Sequence, residues 1–281
     1  RLKMKELWKW FPLVALSPLF LSACGQTVCD SDMCEVPAGT FWMGCNEEVD
    51  DDCGRNEYPY HQVFLDGFMM DRTEVTYGAF MSCVDAGICT HHMDDATCYH
   101  RPDPTQPEVQ GRPPPQSRRE HMPMTCVDWD QASQYCEWVG KRLPTEAEWE
   151  KAARGNDGRK YPWGNDRWTC SLVVAMYDDN GWCGYDYAAE VCSTSPGGDS
   201  PYGLCDMAGN VWEWTSDWSD SNYYKQSPAE NPRGPETGTL KSVRSGGVDY
   251  PPPYPIRSSR RWGVAPNNAT FYRGFRCASD M

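Results

Sequence analysis

Apolar residues recur at helical spacing twice between Asp128 and Gly155. Trp129, Ala132, Cys136 and Val139 fall three or four apart and share one face of a predicted helix that Asp128 opens as N-cap. A tight basic turn at Gly140-Lys141-Arg142 leads into a second helix, started by a Thr145…Glu148 capping box just after Pro144 and stopped by Gly155. The pair contains no nucleophile beside a base, so it reads as core scaffold. Further toward the N-terminus, His61 to Asp71 reads as a strand leading into Glu74-Val75-Thr76-Tyr77, where a helix begins and runs to about Asp85. Residues 99–124 and the Pro- and Gly-rich stretch from Tyr223 to Leu240 read as surface excursions. Ser242 to Gly247 is expected to be a core strand ending at the wall of a cleft.

The first residues follow a different pattern. Arg1, Lys3, Lys5 and Lys9 form a basic region, Trp10 to Leu21 is apolar, and Leu21-Ser22-Ala23-Cys24 closes the segment. A small-residue site ending in Cys matches a bacterial lipobox, which predicts a signal peptide over 1–23 and a diacylated Cys24. The apolar run is too short for a comfortable membrane span. Gly25 occupies the position where an inner-membrane retention signal places Asp, so an outer-membrane lipoprotein facing periplasm or cell surface is expected. Residues 24–34 form a tether, and one domain spans 35–281.

Composition agrees with a single exported domain. At 281 residues, with no internal repeat, the chain suits one sizeable core. Its 26 basic and 40 acidic residues give a net charge of −14, which disfavours nucleic acid and anionic lipid as partners of the folded part. Setting Cys24 aside leaves 14 of the 15 cysteines, an even number that reads as up to seven disulfides. Short spacings suggest Cys29–Cys34, Cys45–Cys53, Cys89–Cys98 and Cys170–Cys183, leaving Cys83, Cys126, Cys192 and Cys205. Zinc is disfavoured because no CxxC spacing occurs. The acidic loop from Asn46 to Asn56 reads as a solvated charge run, and the scattered His91, His92, His100 and His121 do not form a metal set.

Gly140 to Trp149 (GKRLPTEAEW), Tyr161-Pro162-Trp163-Gly164, Gly209 to Trp214 (GNVWEW), Gly246-Gly247 and Gly274-Phe275-Arg276-Cys277 occur in the order found in one family. Together they resemble the formylglycine-generating enzymes, also called the sulfatase-modifying factor family, over about residues 35–281. The resemblance implies an α+β fold, a single compact C-type-lectin-like domain with much irregular chain. It likens Val36 to Cys45 to the family's first strand and implies a Cys136–Cys277 bridge.

The family's activity depends on two cysteines that bind copper(I) between the Gly-Gly and the final Gly-Phe-Arg-Cys. No cysteine lies between Cys205 and Cys277, and the register places Ser258 and, less closely, Pro253 at those positions, with Arg257 and Arg261 on the family's Arg motif. Copper is therefore not expected. For calcium the resemblance implies one site, with side chains from Asp206 and Glu213 and carbonyls from Gly209 and Val211. A second family site would fall near Thr169, Cys170 and Cys183, where a disulfide stands in for the ion. Trp212, Trp214, Trp218, Tyr250, Tyr254 and Trp262 are candidates to line a cleft, with core packing the more frequent fate. These features describe a lipid-anchored, non-catalytic envelope protein that binds a protein or glycan. The alternative is an oxidoreductase converting a sulfatase cysteine to formylglycine, or another oxidative activity of the same fold.

Overall fold

The computed structural model describes residues 29–30, 32–91, 98, 116–175, 177–178, 181–185, 187–247 and 256–281. Residues 33–43 and 61–71 run antiparallel, and both break at the same level. β1 (Met33–Val36) pairs with β4 (Phe68–Asp71), and β2 (Gly39–Met43) pairs with β3 (His61–Leu65). The two strands expected over Val36 to Cys45 and His61 to Asp71 are therefore each cut in two. Pro37, which has no N–H to give a ladder, sits opposite Gly67, where an added Cβ would lie 2.1 Å from Met281 Cε.

Local signals place the helices. α1 (Tyr77–Asp85) begins where Thr76 Oγ1 accepts the Ala79 N–H at 3.2 Å. α2 (Trp129–Trp138) opens on a reciprocal Asp128/Gln131 capping box, and α3 (Glu146–Arg154) on the expected Thr145/Glu148 box. Gly155 ends α3 with φ 70°. On α2 the buried stripe is Gln131, Ala132, Tyr135 and Cys136. Trp129 is only half-buried, and Val139, which occupies the C-cap where the chain turns away, is exposed.

Every residue of α3 is buried. It packs against β2 and β3 on one side and against β7 (Trp212–Trp218) and β8 (Lys241–Arg244) on the other. Lys151 ties it to the strand break, donating to the Pro37 and Gly39 carbonyls at 2.7 and 3.0 Å. Short β5 (Tyr177–Asp178) and β6 (Gly181–Trp182) pair with each other. β8 is buried throughout, as expected of a core strand, and joins β9 (Trp262–Val264). β10 (Arg273–Gly274) runs parallel to β7, giving the order β10-β7-β8-β9. β11 (Ala278–Asp280) completes a second sheet, β1-β4-β11.

Of the aromatic candidates, Trp212 and Trp214 join Phe80, Tyr135 and Phe275 in the larger core cluster. Trp218 packs on Lys241, Trp262 is exposed, and Tyr250 and Tyr254 lie outside the described residues.

Seven disulfides consume all 14 cysteines from Cys29 to Cys277. Cys29–Cys34, Cys45–Cys53, Cys170–Cys183 and Cys136–Cys277 pair as expected. The expected Cys89–Cys98 bridge does not form. The chain turns back after α1 through Gly87, with φ 73°, and the Cys89 N–H meets the Cys83 carbonyl at 3.2 Å. Cys89 thus bonds Cys83, leaving Cys98 for Cys126, while Cys192 joins Cys205.

Candidate functional site: two buried charge clusters

The first cluster lies under the segment from Leu204 to Trp214. Asp206, Gly209 and Asn210 all take left-handed backbone conformations, with φ 55°, 78° and 58°. Only a glycine suits position 209, because an added Cβ would lie 2.3 Å from Val173 Cγ2 and 2.5 Å from the Val174 carbonyl. Asn210 pins the turn, accepting the Ala189 N–H at 2.8 Å and donating to Glu74 Oε1 at 3.0 Å.

Three carboxylates are buried here: Glu74, Asp206 and Glu213 are 1%, 3% and 0% exposed. Glu213 is held by Arg276, whose Nε and Nη2 reach it at 2.7 Å each, and by Trp149 Nε1 at 2.8 Å. Arg276 spends its remaining N–H groups on the carbonyls of Asp71, Arg72 and Cys205. Asp206 Oδ2 accepts the Cys192 N–H at 2.6 Å. Glu74 Oε2 is buried with no hydrogen-bond donor. Burial, and then the charge of Asp206, pushes the Glu74 pKa well above the carboxylate range, and burial also raises that of Asp206.

Of the residues implied for calcium, Asp206 and Glu213 thus sit in one buried site with Gly209 between them. The Gly209 carbonyl accepts from Ser245 Oγ at 2.9 Å, and Val211 is fully buried. Asp206 and Glu213 with the backbone carbonyls offer the hard oxygens calcium takes, but the three carboxylates do not all lie within 4.8 Å of one another, and Arg276 and Trp149 engage both oxygens of Glu213. Glu74 carries no signal of its own in the sequence, since it stands in the polar run Asp71-Arg72-Thr73-Glu74 just before α1.

The second cluster surrounds α3. Glu146 accepts Arg261 Nε at 2.8 Å and Nη2 at 2.5 Å, and Ser242 Oγ at 2.5 Å. Glu150 binds Arg244 Nη2 at 2.7 Å, Arg154 Nη1 at 2.9 Å and the Gly44 N–H at 2.7 Å. Arg257 forks onto Glu57 at 2.8 and 2.9 Å and reaches Asp50 at 2.7 Å. Arg257 and Arg261, the family's Arg motif, therefore serve as buried struts.

Between them, Ser258 is buried, with its hydroxyl unpartnered and its carbonyl held by Arg244 Nη2 at 2.7 Å. Pro253 lies outside the described residues. Copper(I) prefers thiolates, and the Ser258 hydroxyl does not provide that donor. Elsewhere a cleft of 700 Å³ opens between α2, the start of α3 and the Asn231–Arg233 loop, lined by Trp129, Ser133, Arg142 and Glu148.

A model of the sulfatase-modifying factor enzyme 1-like domain matches residues 23–281. A formylglycine-generating enzyme of Streptomyces coelicolor is 34% identical, over 87% of this chain and 88% of its own length. An inactive C-alpha-formylglycine-generating enzyme 2 of Bos taurus is 36% identical, over 56% of this chain and 50% of its own. Among solved structures, PvdO from Pseudomonas aeruginosa superposes with TM-score 0.71 at 27% identity, covering 89% of this chain and 94% of that one.

Proposed function

We propose that this chain, which belongs to the sulfatase-modifying factor family, uses the family's fold to bind a protein or glycan in the cell envelope and does not generate formylglycine. One observation carries the proposal. Every cysteine from Cys29 to Cys277 is tied up in a disulfide, so none of them offers a thiolate for copper(I). Similarity to a relative named as inactive supports this reading. In this reading the struts around α3 keep the domain rigid, and the Asp206–Glu213 segment holds one calcium ion that fixes the turn above the core. When bound, the ion would supply structural order rather than chemistry.

The oxidoreductase alternative rests on the 34% identity to the Streptomyces coelicolor enzyme, and one assay separates the two. The purified protein is loaded aerobically with copper(I), incubated with a Cys-x-Pro-x-Arg peptide and analysed by mass spectrometry. We expect the peptide to keep its thiol. An enzyme-dependent aldehyde product would establish the oxidoreductase instead.

A further inference from the structure

We infer that the outward side of the β2–β3 pair, together with the acidic loop beside it, forms a docking pocket for a cationic side chain, an arginine on a basic segment of a protein partner. The inference rests on the binding reading above and deepens it, giving that reading a place on the molecule and a partner chemistry.

β2 alternates strictly, sending Phe41 and Met43 into the core and Thr40 and Trp42 outward. Trp42 is left 38% exposed, and Phe64 on the same outer side of β3 is 37% exposed. Aromatic rings grouped outside a core are the usual anchors of protein interfaces. The Trp42 indole stacks on Tyr60, with centroids 4.9 Å apart and planes 22° from parallel. The Arg154 guanidinium lies 5.9 Å from the Tyr60 centroid, so this ring already takes one cation from within the protein. With Tyr58 the two rings line a pocket of about 650 Å³, which Glu47, Glu48 and Asp157 also line. The Cys45–Cys53 bridge closes the loop that carries the two glutamates. Asn46 fastens that loop, its Nδ2 donating to the Gly158 carbonyl at 3.2 Å and its Oδ1 accepting the Glu48 N–H at 3.2 Å.

The charge balance points to the occupant. No Lys or Arg lines the pocket. Arg159 offsets Asp157, forking onto it at 2.9 and 2.6 Å, but among the described residues no cation pairs with Glu47 or Glu48. Glu47 accepts the Tyr58 hydroxyl at 2.5 Å, and that bond pushes the Tyr58 pKa up to about 12, so the phenol stays a donor. With the Asn46 amide and the Tyr58 hydroxyl spent on the protein itself, what the pocket offers is carboxylate oxygens and the negative faces of aromatic rings. A guanidinium has five donors and no acceptor, stacks on an indole and forks onto a carboxylate. A neutral glycan presents acceptors as well as donors and would leave both glutamate charges uncompensated.

Acetyl-Gly-Arg-Gly-amide, its citrulline counterpart of the same shape without the charge, and the neutral sugar chitotriose are titrated into the isotope-labelled protein while amide and indole N–H resonances are followed by NMR. Loss of one indole peak in Trp42→Phe assigns Trp42. The arginine peptide should move that peak and the Glu47 and Glu48 amides, and the citrulline peptide should bind at least about fivefold more weakly. Trp42→Ala and Glu48→Gln should each weaken the arginine peptide by about fivefold or more, whereas Glu236→Gln, which removes an exposed charge outside the pocket, should change it by less than about twofold. Trp42 and Glu48 are both exposed, each variant's own spectrum checks its fold, and Glu48→Gln carries the test if Trp42→Ala does not fold. Equal effects of all three substitutions would trace binding to the net charge of −14 and overturn the pocket, as would the absence of any shift at Trp42, Glu47 and Glu48. Chitotriose or the citrulline peptide binding there as tightly as the arginine peptide would overturn the cationic occupant and leave a binding domain standing. Failure of the wider reading registers separately, as an aldehyde product in the copper assay.

Discussion

Asp217 shows what burial does to one side chain. At the end of β7 its Oδ2 accepts the Glu146 N–H at 2.9 Å and Ser216 Oγ at 3.0 Å. Burial first, and then the charge of Glu146, push its pKa up to about 7, with Glu148 and the Lys241 ammonium also facing it. The folded chain therefore keeps this proton to higher pH than the unfolded chain does. Stability from Asp217 is complete below about pH 4 and is lost as the pH rises through 7. Asp217→Asn retains an acceptor for the Glu146 N–H and cannot ionise. We expect it to flatten the decline and to raise stability at pH 8 by on the order of 2–4 kcal/mol. Denaturant midpoints between pH 4 and 8 test this, and a variant that declines in parallel with the wild type would refute it. Glu213 makes the opposite case, because Arg276 keeps a buried carboxylate paired. Glu213→Ala should leave that guanidinium uncompensated, destabilise the fold by about 3–5 kcal/mol and abolish stabilisation by added calcium. A melting temperature that still rises with calcium in this variant would argue against Glu213 as a ligand.

At the level of elements, α3 is the unusual one. A helix buried on all sides is normally apolar, yet this one carries Glu146, Glu148, Glu150, Lys151 and Arg154. It is stable there because each charge meets a partner on a neighbouring strand or loop. Its start is also reinforced, since Thr145 Oγ1 accepts the Glu148 N–H at 3.1 Å and Glu148 Oε2 returns the bond to the Thr145 N–H at 2.7 Å. Thr145→Ala should cost about 1–2 kcal/mol, and Thr145→Ser should recover most of it. Chemical denaturation without reductant measures both, and equal losses in the two variants would show that the methyl contact, not the cap, matters. The Asp128 cap and the Thr145/Glu148 box were legible in the sequence, whereas the return bond from Gln131 and the all-round burial of α3 were not. The letters give the amphipathic spacing of a surface helix, and only sheets on both sides make its polar face interior.

For the whole molecule, the open question is attachment. No helix among the described residues is long and apolar enough to cross a membrane. The lipobox Leu21-Ser22-Ala23-Cys24 lies outside those residues, and it predicts attachment through a diacylated Cys24. Globomycin should cause the precursor to accumulate, and Cys24→Ala should remove acyl labelling. Labelling that persists in the variant would rule out this anchor.

The sequence by itself determined the elements whose partners lie close by along the chain. Thr145 and Glu148 are three residues apart, Cys29 and Cys34 five, so pattern and pairing are written in the same short stretch. The family's motifs, read in order, carried the fold. Packing decided the long-range choices. Glu213 met Arg276 across 63 residues and Asn210 met Glu74 across 136. Cys98 went to Cys126 once the turn after α1 had given Cys89 to Cys83. A cap satisfies a backbone group within one helical turn, but a buried charge or thiol must find whichever partner the packed elements bring within reach, and that is a property of the fold rather than of any segment.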